Sequence, residues 1–179
     1  ILDGNCHIPT QSVSADARNR VCAFYAPSKT FNLAGLIGSY HICYNNWWRD
    51  RLEKESSLCH YNSMNVLSMH ALIGAYKPEG YAWTDALRRV LTGNIDFAVN
   101  YIRDHFDGVT VSRPQGTYML FVDCTGWCAS HGKTIEDVEK ACWDVGVAVQ
   151  DGRMFHGNCH VRMNLALPLS RVREAFRRM

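Results

Sequence analysis

The sequence predicts a mixed protein with an α/β part followed by an α+β part, because strand and helix patterns alternate differently in its two regions. In residues 1–78, two short β-prone runs precede two helical patterns. In residues 79–179, a long helical pattern precedes a strand pair, a helix, short strands and a last helix. The second order is typical of helices packed on a sheet. A hydrophobic content of 47% is enough to fill a core of this kind.

The first region begins with about twenty residues of low periodicity, which we predict to be irregular. A β-prone run then ends at Pro27, and a turn-rich stretch around Lys29 separates it from a second strand. Pro78 and Gly80 are expected to stop the last helix of the region. The predicted elements are strands at Val21–Tyr25 and Ser39–Tyr44 and helices at Trp47–Cys59 and Asn62–Tyr76.

The second region begins with a long helix in which apolar residues recur at helical spacing. Thr134 is a good N-cap, and Asp137 occupies the third position of a capping-box pattern. Ser170 is expected to cap the last helix. The predicted elements are a helix at Trp83–Phe106, two strands within Val109–Asp123, a helix at Thr134–Val145, strands at Val147–Gln150 and Val161–Ala166, and the C-terminal helix.

Charge and hydropathy argue against membrane and nucleic-acid partners. The net charge is only +2, and no apolar run approaches the roughly 18 residues of a membrane span. The basic run Arg171–Arg178 lies on a helical pattern, so a solvated helix face is the better interpretation.

No secretory leader is visible, and the 8 cysteines show no disulfide framework. We therefore expect a cytoplasmic protein with reduced thiols.

The stretch Ala26–Leu36 is the most informative part of the chain. It places Lys29 between a strand and a glycine-containing turn, among small polar residues. A lysine on such a turn can project into a cleft, where partial desolvation lowers its pKa and makes it a nucleophile. An exposed loop lysine is the alternative, and the residues alone favour it.

This stretch closely resembles the lysine motif of pyridoxal-phosphate (PLP) dependent fold-type I enzymes. Within the class I/II aminotransferase superfamily it is most similar to the cystathionine β-lyase-like, C–S lyase branch. Other segments resemble the same family, in the family's order. They are His7–Pro9, Pro114–Tyr118 followed by Asp123–Cys124, and Val161–Ala166.

The resemblance implies roles for three residues. Lys29 forms the Schiff base with PLP and then exchanges a proton with the substrate Cα. Ser28 contacts the cofactor phosphate, although a turn-stabilising serine is an equal alternative. Arg162 grips the substrate α-carboxylate through its fork of N–H donors, whereas a strand arginine in general would more often be a surface ion-pair partner. Ile37 departs from the standard aminotransferases, many of which have a phosphate-binding arginine eight positions after the lysine.

Two groups of residues invite a zinc interpretation, which we discount. Cys124, Cys128 and His131 have spacing that zinc could use, and a second group follows at 156–160 with His156, Cys159 and His160. The spacing lacks the tight Cys-x₂-Cys pairs of structural zinc modules. We therefore predict no metal site.

The resemblance also predicts the domains. Residues 1–78 resemble the end of the large PLP-binding domain, which has a mostly parallel sheet, and residues 79–179 resemble the small C-terminal α+β domain. Family enzymes are roughly twice this length, and the chain begins with Ile1 rather than Met. In the family, the front half supplies the aspartate that pairs with the pyridine nitrogen, the residue that covers the ring and further phosphate contacts. We therefore expect a fragment that is inactive alone.

For the intact enzyme the resemblance implies β-elimination from a sulfur-containing amino acid such as cystathionine or cysteine. The products would be a thiol, pyruvate and ammonia. Transamination is the alternative, since it uses the same lysine, cofactor and carboxylate contact. A non-catalytic binding or regulatory domain is a second alternative. The family builds its site at a homodimer interface, so we expect the intact protein to be a homodimer.

Overall fold

The chain forms two compact units. The structure is a computed structural model that describes residues 1–60 and 63–179. One unit comprises residues 6–86, and the other comprises residues 1–5 together with 87–179. This division differs from the predicted boundary at 78/79, since residues 79–86 fall in the first unit and residues 1–5 in the second. Leu2 is only 1% exposed in the core of the second unit, and its N–H donates to the Gln115 carbonyl. The assignment of the two regions to the family's large and small domains stays a prediction.

The first unit contains a two-stranded antiparallel ribbon and several helices. Cys22 lies opposite Cys43, and Tyr25 lies opposite Tyr40. The helix at 15–20 was not predicted; Ser14 caps it by accepting from the Ala17 N–H. The elements are a 3-10 turn (Thr10–Ser12), α1 (Ala15–Arg20), β1 (Cys22–Tyr25), α2 (Pro27–Thr30), β2 (Tyr40–Cys43), α3 (Asn46–Leu58) and α4 (Val66–Ala75). Asn62, the predicted first residue of α4, lies outside the described residues.

Buried Gln11 holds the two strands of this ribbon together from the side. Its side-chain amide donates to the carbonyls of Val21, at 2.9 Å, and Ile42, at 2.8 Å. Gln11 is only 6% exposed, so these bonds satisfy a buried amide and two backbone carbonyls at once. The ribbon that leads into the Lys29 segment is therefore fixed at its far end.

Helix α4 ends at Ala75, just before Pro78 as predicted, and Pro78 also begins the next helix. Helix α5 runs from Pro78 to His105, five residues longer at its start than predicted. Proline is well tolerated in the first helical turn, because the N–H that it lacks has no intrahelical acceptor there. Gly80 is also needed, since a Cβ would lie 2.0 Å from the carbonyl oxygen of Ala75. The Pro-Glu-Gly sequence thus allows α5 to start directly behind α4.

The second unit is a four-stranded antiparallel sheet with helices. The strand order is β3-β4-β6-β5, and each neighbouring pair is antiparallel. No parallel pair occurs among residues 1–60 and 63–179, so the parallel sheet implied for the large domain has no pair in this part of the protein. The elements after α5 are β3 (Thr110–Val111), β4 (Met119–Asp123), α6 (Thr125–His131), α7 (Ile135–Asp144), β5 (Gln150–Asp151), β6 (His160–Asn164) and α8 (Leu169–Arg178).

One face of this sheet forms the core. Leu120 and Val122 of β4 and Val161 and Met163 of β6 are buried. Side chains alternate between the two faces of a strand, so the intervening residues lie on the opposite, more open face. They are Phe121, Asp123, His160 and Arg162. From the helices, the core receives Ile95, Ala98, Ile102, Val172 and Phe176.

Of the two helix N-caps predicted in this unit, only the one at Thr134 is present. The capping box predicted at Thr134 is present, with Thr134 and Asp137 bonding each other's backbone N–H. The Ser170 cap is wrong, because Pro168 takes the N-cap position and α8 begins at Leu169. Helix α6 was not predicted. In the part of the chain that the structure describes, no helix combines the length and the apolarity of a membrane span.

Candidate active site

Lys29 lies on a single helical turn that directly follows strand β1. Ala26 is extended, and Pro27 takes the first helical position of α2, where it is buried. The Phe31 N–H donates to the Pro27 carbonyl at 2.9 Å, and Asn32 leaves the helix with a left-handed φ of 53°. The Lys29 side chain is exposed and forms no hydrogen bond or ion pair with any described residue. Its amine is therefore accessible and unpaired.

A cluster of aromatic rings anchors this turn. Phe31 is 9% exposed, and its ring centroid lies 5.2 Å from that of Tyr76 and 6.2 Å from that of Tyr81. The hydroxyls of Tyr76 and Tyr40 are 2.9 Å apart. Burial, with help from the Tyr40 hydroxyl, raises the pKa of Tyr76 well above its usual range, so the Tyr76 phenol stays neutral. The rings thus connect the Lys29 turn to strand β2.

Ser28 lies beside Lys29 and is half-buried. Its backbone carbonyl accepts from the Leu33 N–H at 3.0 Å, whereas its hydroxyl has no partner among the described residues. Ile37 is 82% exposed and offers no charge to a phosphate. A phosphate contact from Ser28 is compatible with this geometry and stays a prediction.

Arg162 lies on the open face of the second unit's sheet, at the centre of β6. Its Cα partners are Phe121 on β4 and Gln150 on β5, neither of which is acidic. Its Nε is buried without a hydrogen-bond partner, and within residues 1–60 and 63–179 no carboxylate forms an ion pair with it. Most buried donors in proteins are satisfied, so this unpaired guanidinium is unusual, and its donors are available to an anion.

The sequence did not predict which residues lie around Arg162. Its Cζ lies 4.0 Å from the centroid of the Phe155 ring. His160, two residues earlier on the same face, stacks on Phe121 at 4.6 Å, and its Nε2 is 3.9 Å from an oxygen of Asp123. Hydrogen bonding from Thr125, helped by His160, lowers the pKa of Asp123 and keeps it ionised. The sequence offered one indication of these contacts, namely the aromatic residue Phe155 shortly before the strand that contains Arg162.

The two cysteine and histidine groups do not form a metal site among the described residues. No set of three or more His, Cys, Asp or Glu side chains in that part of the chain is arranged to hold an ion. Burial raises the pKa of Cys124 to about 12 and that of Cys128 to about 11. Without a metal, both are therefore thiols at neutral pH.

The sequence and these features place the chain in a known family. The family described as aminotransferase class I and II matches residues 4–179, and the chain belongs to it. Lys29 and Ser28 lie in the first unit and Arg162 lies in the second, so the structure describes their surroundings separately.

Individual relatives include a protein named cystathionine β-lyase. The chain is 24% identical to cystathionine β-lyase PatB of Bacillus subtilis, covering 100% of this chain and 46% of the relative. It is 29% identical to protein MalY of Escherichia coli, covering 94% of this chain and 42% of MalY. It shares its fold with PLP-containing cystalysin of Treponema denticola, with a TM-score of 0.85, 26% identity, and coverage of 99% of this chain and 45% of that one. The chain thus spans less than half the length of these relatives.

Proposed function

We propose that this chain supplies the lysine and the carboxylate-binding arginine of a PLP-dependent C–S β-lyase. The observation that carries the proposal is Lys29, whose unpaired amine sits on an anchored turn within the family's lysine motif. Relatives named cystathionine β-lyase, such as that of Corynebacterium glutamicum at 29% identity over 97% of this chain, support the lyase reaction. The substrate would be a small sulfur-containing amino acid.

The residues present fit the cofactor. Lys29 offers an amine to its aldehyde, and Ser28 offers a hydroxyl to its phosphate. The unpartnered guanidinium of Arg162 offers donors to the carboxylate of an amino acid that PLP would carry. When bound, PLP supplies an electron sink that makes the Cα proton of an amino acid acidic.

The protein's own residues have two tasks in this proposal. Arg162 holds the α-carboxylate and so fixes the orientation of the Cα–H and Cβ–S bonds. Lys29 takes the Cα proton, and the sulfur leaves from Cβ as a thiol once it gains a proton. Hydrolysis of the remaining product gives pyruvate and ammonia. The aromatic cluster beneath Phe31 keeps the backbone of Lys29 in place during both proton movements.

Transamination is the second candidate, since the family description itself names aminotransferases. Both reactions remove the Cα proton. In β-elimination the thiol then leaves from Cβ, whereas in transamination the amino group is transferred to a keto-acid acceptor. The test is a product assay on the intact, PLP-saturated protein with cystathionine, cysteine and keto-acid acceptors. We expect thiol and pyruvate without an acceptor, and no turnover in Lys29→Ala. Acceptor-dependent keto-acid formation would instead identify an aminotransferase, and no product from any substrate would favour a non-catalytic binding domain.

Two further properties of the intact protein stay predictions. Family enzymes build their site at a homodimer interface, so we propose a homodimer, which sedimentation of the PLP-bound protein would test. We also propose a cytoplasmic location, because the 8 cysteines show no disulfide framework.

A further inference from the structure

The ring of Phe155 covers one face of the Arg162 guanidinium. The distance of 4.0 Å from Cζ to the ring centroid is well within the range of a cation–π contact. Phe155 is nevertheless 39% exposed, so burial of the ring does not explain its position. It lies in a 3-10 turn, Arg153–Phe155, within the connection between β5 and β6. The contact therefore joins a loop side chain to a strand side chain.

The loop that carries Phe155 is closed by its own backbone. The Gly152 N–H donates to the His160 carbonyl at 2.9 Å, and the Gly157 N–H donates to the Gly152 carbonyl at 3.1 Å. A Cβ on Gly157 would lie 2.3 Å from the ring of Phe121, and one on Gly152 would lie 2.5 Å from the His160 carbonyl oxygen. A side chain at Gly152 would therefore push the loop away from β6, and one at Gly157 would have to displace the side chains of Phe121 and His160.

Ion pairs attach the loop to the rest of the unit. Arg153 donates through its backbone N–H, at 2.8 Å, and through Nε, at 2.8 Å, to the two carboxylate oxygens of Asp151. It also forms an ion pair with Glu136 in the first turn of α7. These bonds fix the residue two positions before Phe155, and the ring is therefore held by an ordered loop.

We propose that Phe155 is a positioning residue for Arg162, a proposal that rests on the carboxylate-binding role proposed above. The ring holds the guanidinium plane from one side and accepts no hydrogen bond at its edge. The terminal nitrogens of Arg162 consequently stay free for both oxygens of a carboxylate. An acidic neighbour in the same place would fix the arginine too, but it would compete with the substrate. An aromatic neighbour orders the fork without occupying it.

The chain offers a matched control for this contact. Met154, the preceding residue of the same turn, is 80% exposed and carries no ring. Phe155→Leu and Met154→Leu therefore both place a leucine in this loop, and only the first removes the ring over Arg162. Phe155→Tyr keeps the ring over Arg162.

The first readout is kinetic and uses the intact, PLP-saturated protein. Phe155→Leu should raise KM for the amino-acid substrate about two- to thirtyfold, the range of a cation–π contact, with kcat unchanged. The Ki of L-serine should rise by the same factor, whereas that of ethanolamine, which lacks the carboxylate, should not. Phe155→Tyr, which keeps the ring, should leave the KM for the substrate and the Ki of L-serine at the values of the unmodified protein. Equal increases for serine and ethanolamine, or for Phe155→Leu and Met154→Leu, would overturn the proposal.

The second readout needs no reaction. In the cofactor-free intact protein labelled with ¹⁵N-arginine, the ring current of Phe155 should shift the Arg162 Nε–Hε resonance upfield, with Arg162→Lys assigning the signal. Phe155→Leu should move the resonance toward the values of exposed arginines, and Phe155→Tyr should keep it in place. An unmoved resonance in Phe155→Leu refutes the positioning role even if the protein is an active lyase. If the Arg162 resonance moves in Phe155→Leu but the intact protein has no activity, the positioning role is supported and the proposed lyase reaction is rejected.

Discussion

Replacement of Arg162 should weaken amino-acid binding far more than it slows the reaction. Hydrogen bonds to charged groups each contribute roughly 1.5–3 kcal/mol, and the fork can donate two of them to a carboxylate. The guanidinium is half-buried, which reduces this sum through solvent screening, so we expect a loss of about 2–4 kcal/mol in Arg162→Gln. That loss corresponds to a KM about 30- to 700-fold higher. Arg162→Lys keeps the charge but loses the fork, and its KM should rise about tenfold.

Steady-state kinetics on the intact, PLP-saturated protein measure these changes as separate KM and kcat values. Arg177, an exposed arginine of α8, provides the control, and Arg177→Gln should leave both constants unchanged. The reasoning is refuted if Arg162→Gln leaves the KM for amino acids within twofold of the unmodified protein. It is equally refuted if only kcat falls, because a carboxylate contact acts mainly on binding.

Two further predictions concern the second unit. Leu2→Ala should destabilise the chain by about 2–4 kcal/mol, because Leu2 is 1% exposed. The control Ile8→Ala, at a side chain that is 70% exposed, should cost less than about 0.5 kcal/mol. Equal midpoints of urea unfolding for the two variants would contradict the placement of the first residues. Iodoacetamide at pH 8 should label exposed Cys59 and spare Cys124, whose pKa burial raises to about 12, as read by peptide mass. Labelling of both cysteines at one rate would contradict the burial of Cys124. Because the folded chain keeps the Cys124 proton, the burial of this thiol stabilises the fold below about pH 9, and this stabilisation is lost as the pH rises toward 12.

The sequence predicts those parts of the fold that local chemistry decides. Thr134 and Asp137 form the predicted capping box because both partners lie within one helical turn. The β-prone runs before and after the Lys29 turn are strands for a similar reason, since their composition favours extended backbone.

Long-range contacts decide the parts that the sequence misses. Helix α6 has no side-chain cap and is held by tertiary contacts, among them the bond from the Trp127 N–H to the Gly108 carbonyl at 2.8 Å. Leu2 joins the second unit through Gln115, more than a hundred residues away. The same limit applies at the candidate site. The family motif identifies Arg162, but only the folded loop shows that Phe155 covers its guanidinium.

Borohydride reduction tests the central claim most directly. The intact protein is saturated with PLP, reduced, digested and analysed by peptide mass, with Lys29→Ala as the control. We expect a pyridoxyl group on Lys29 and none in the variant. A protein that takes up the label only on other lysines, or not at all, would contradict the assignment of Lys29 and the enzyme function built on it.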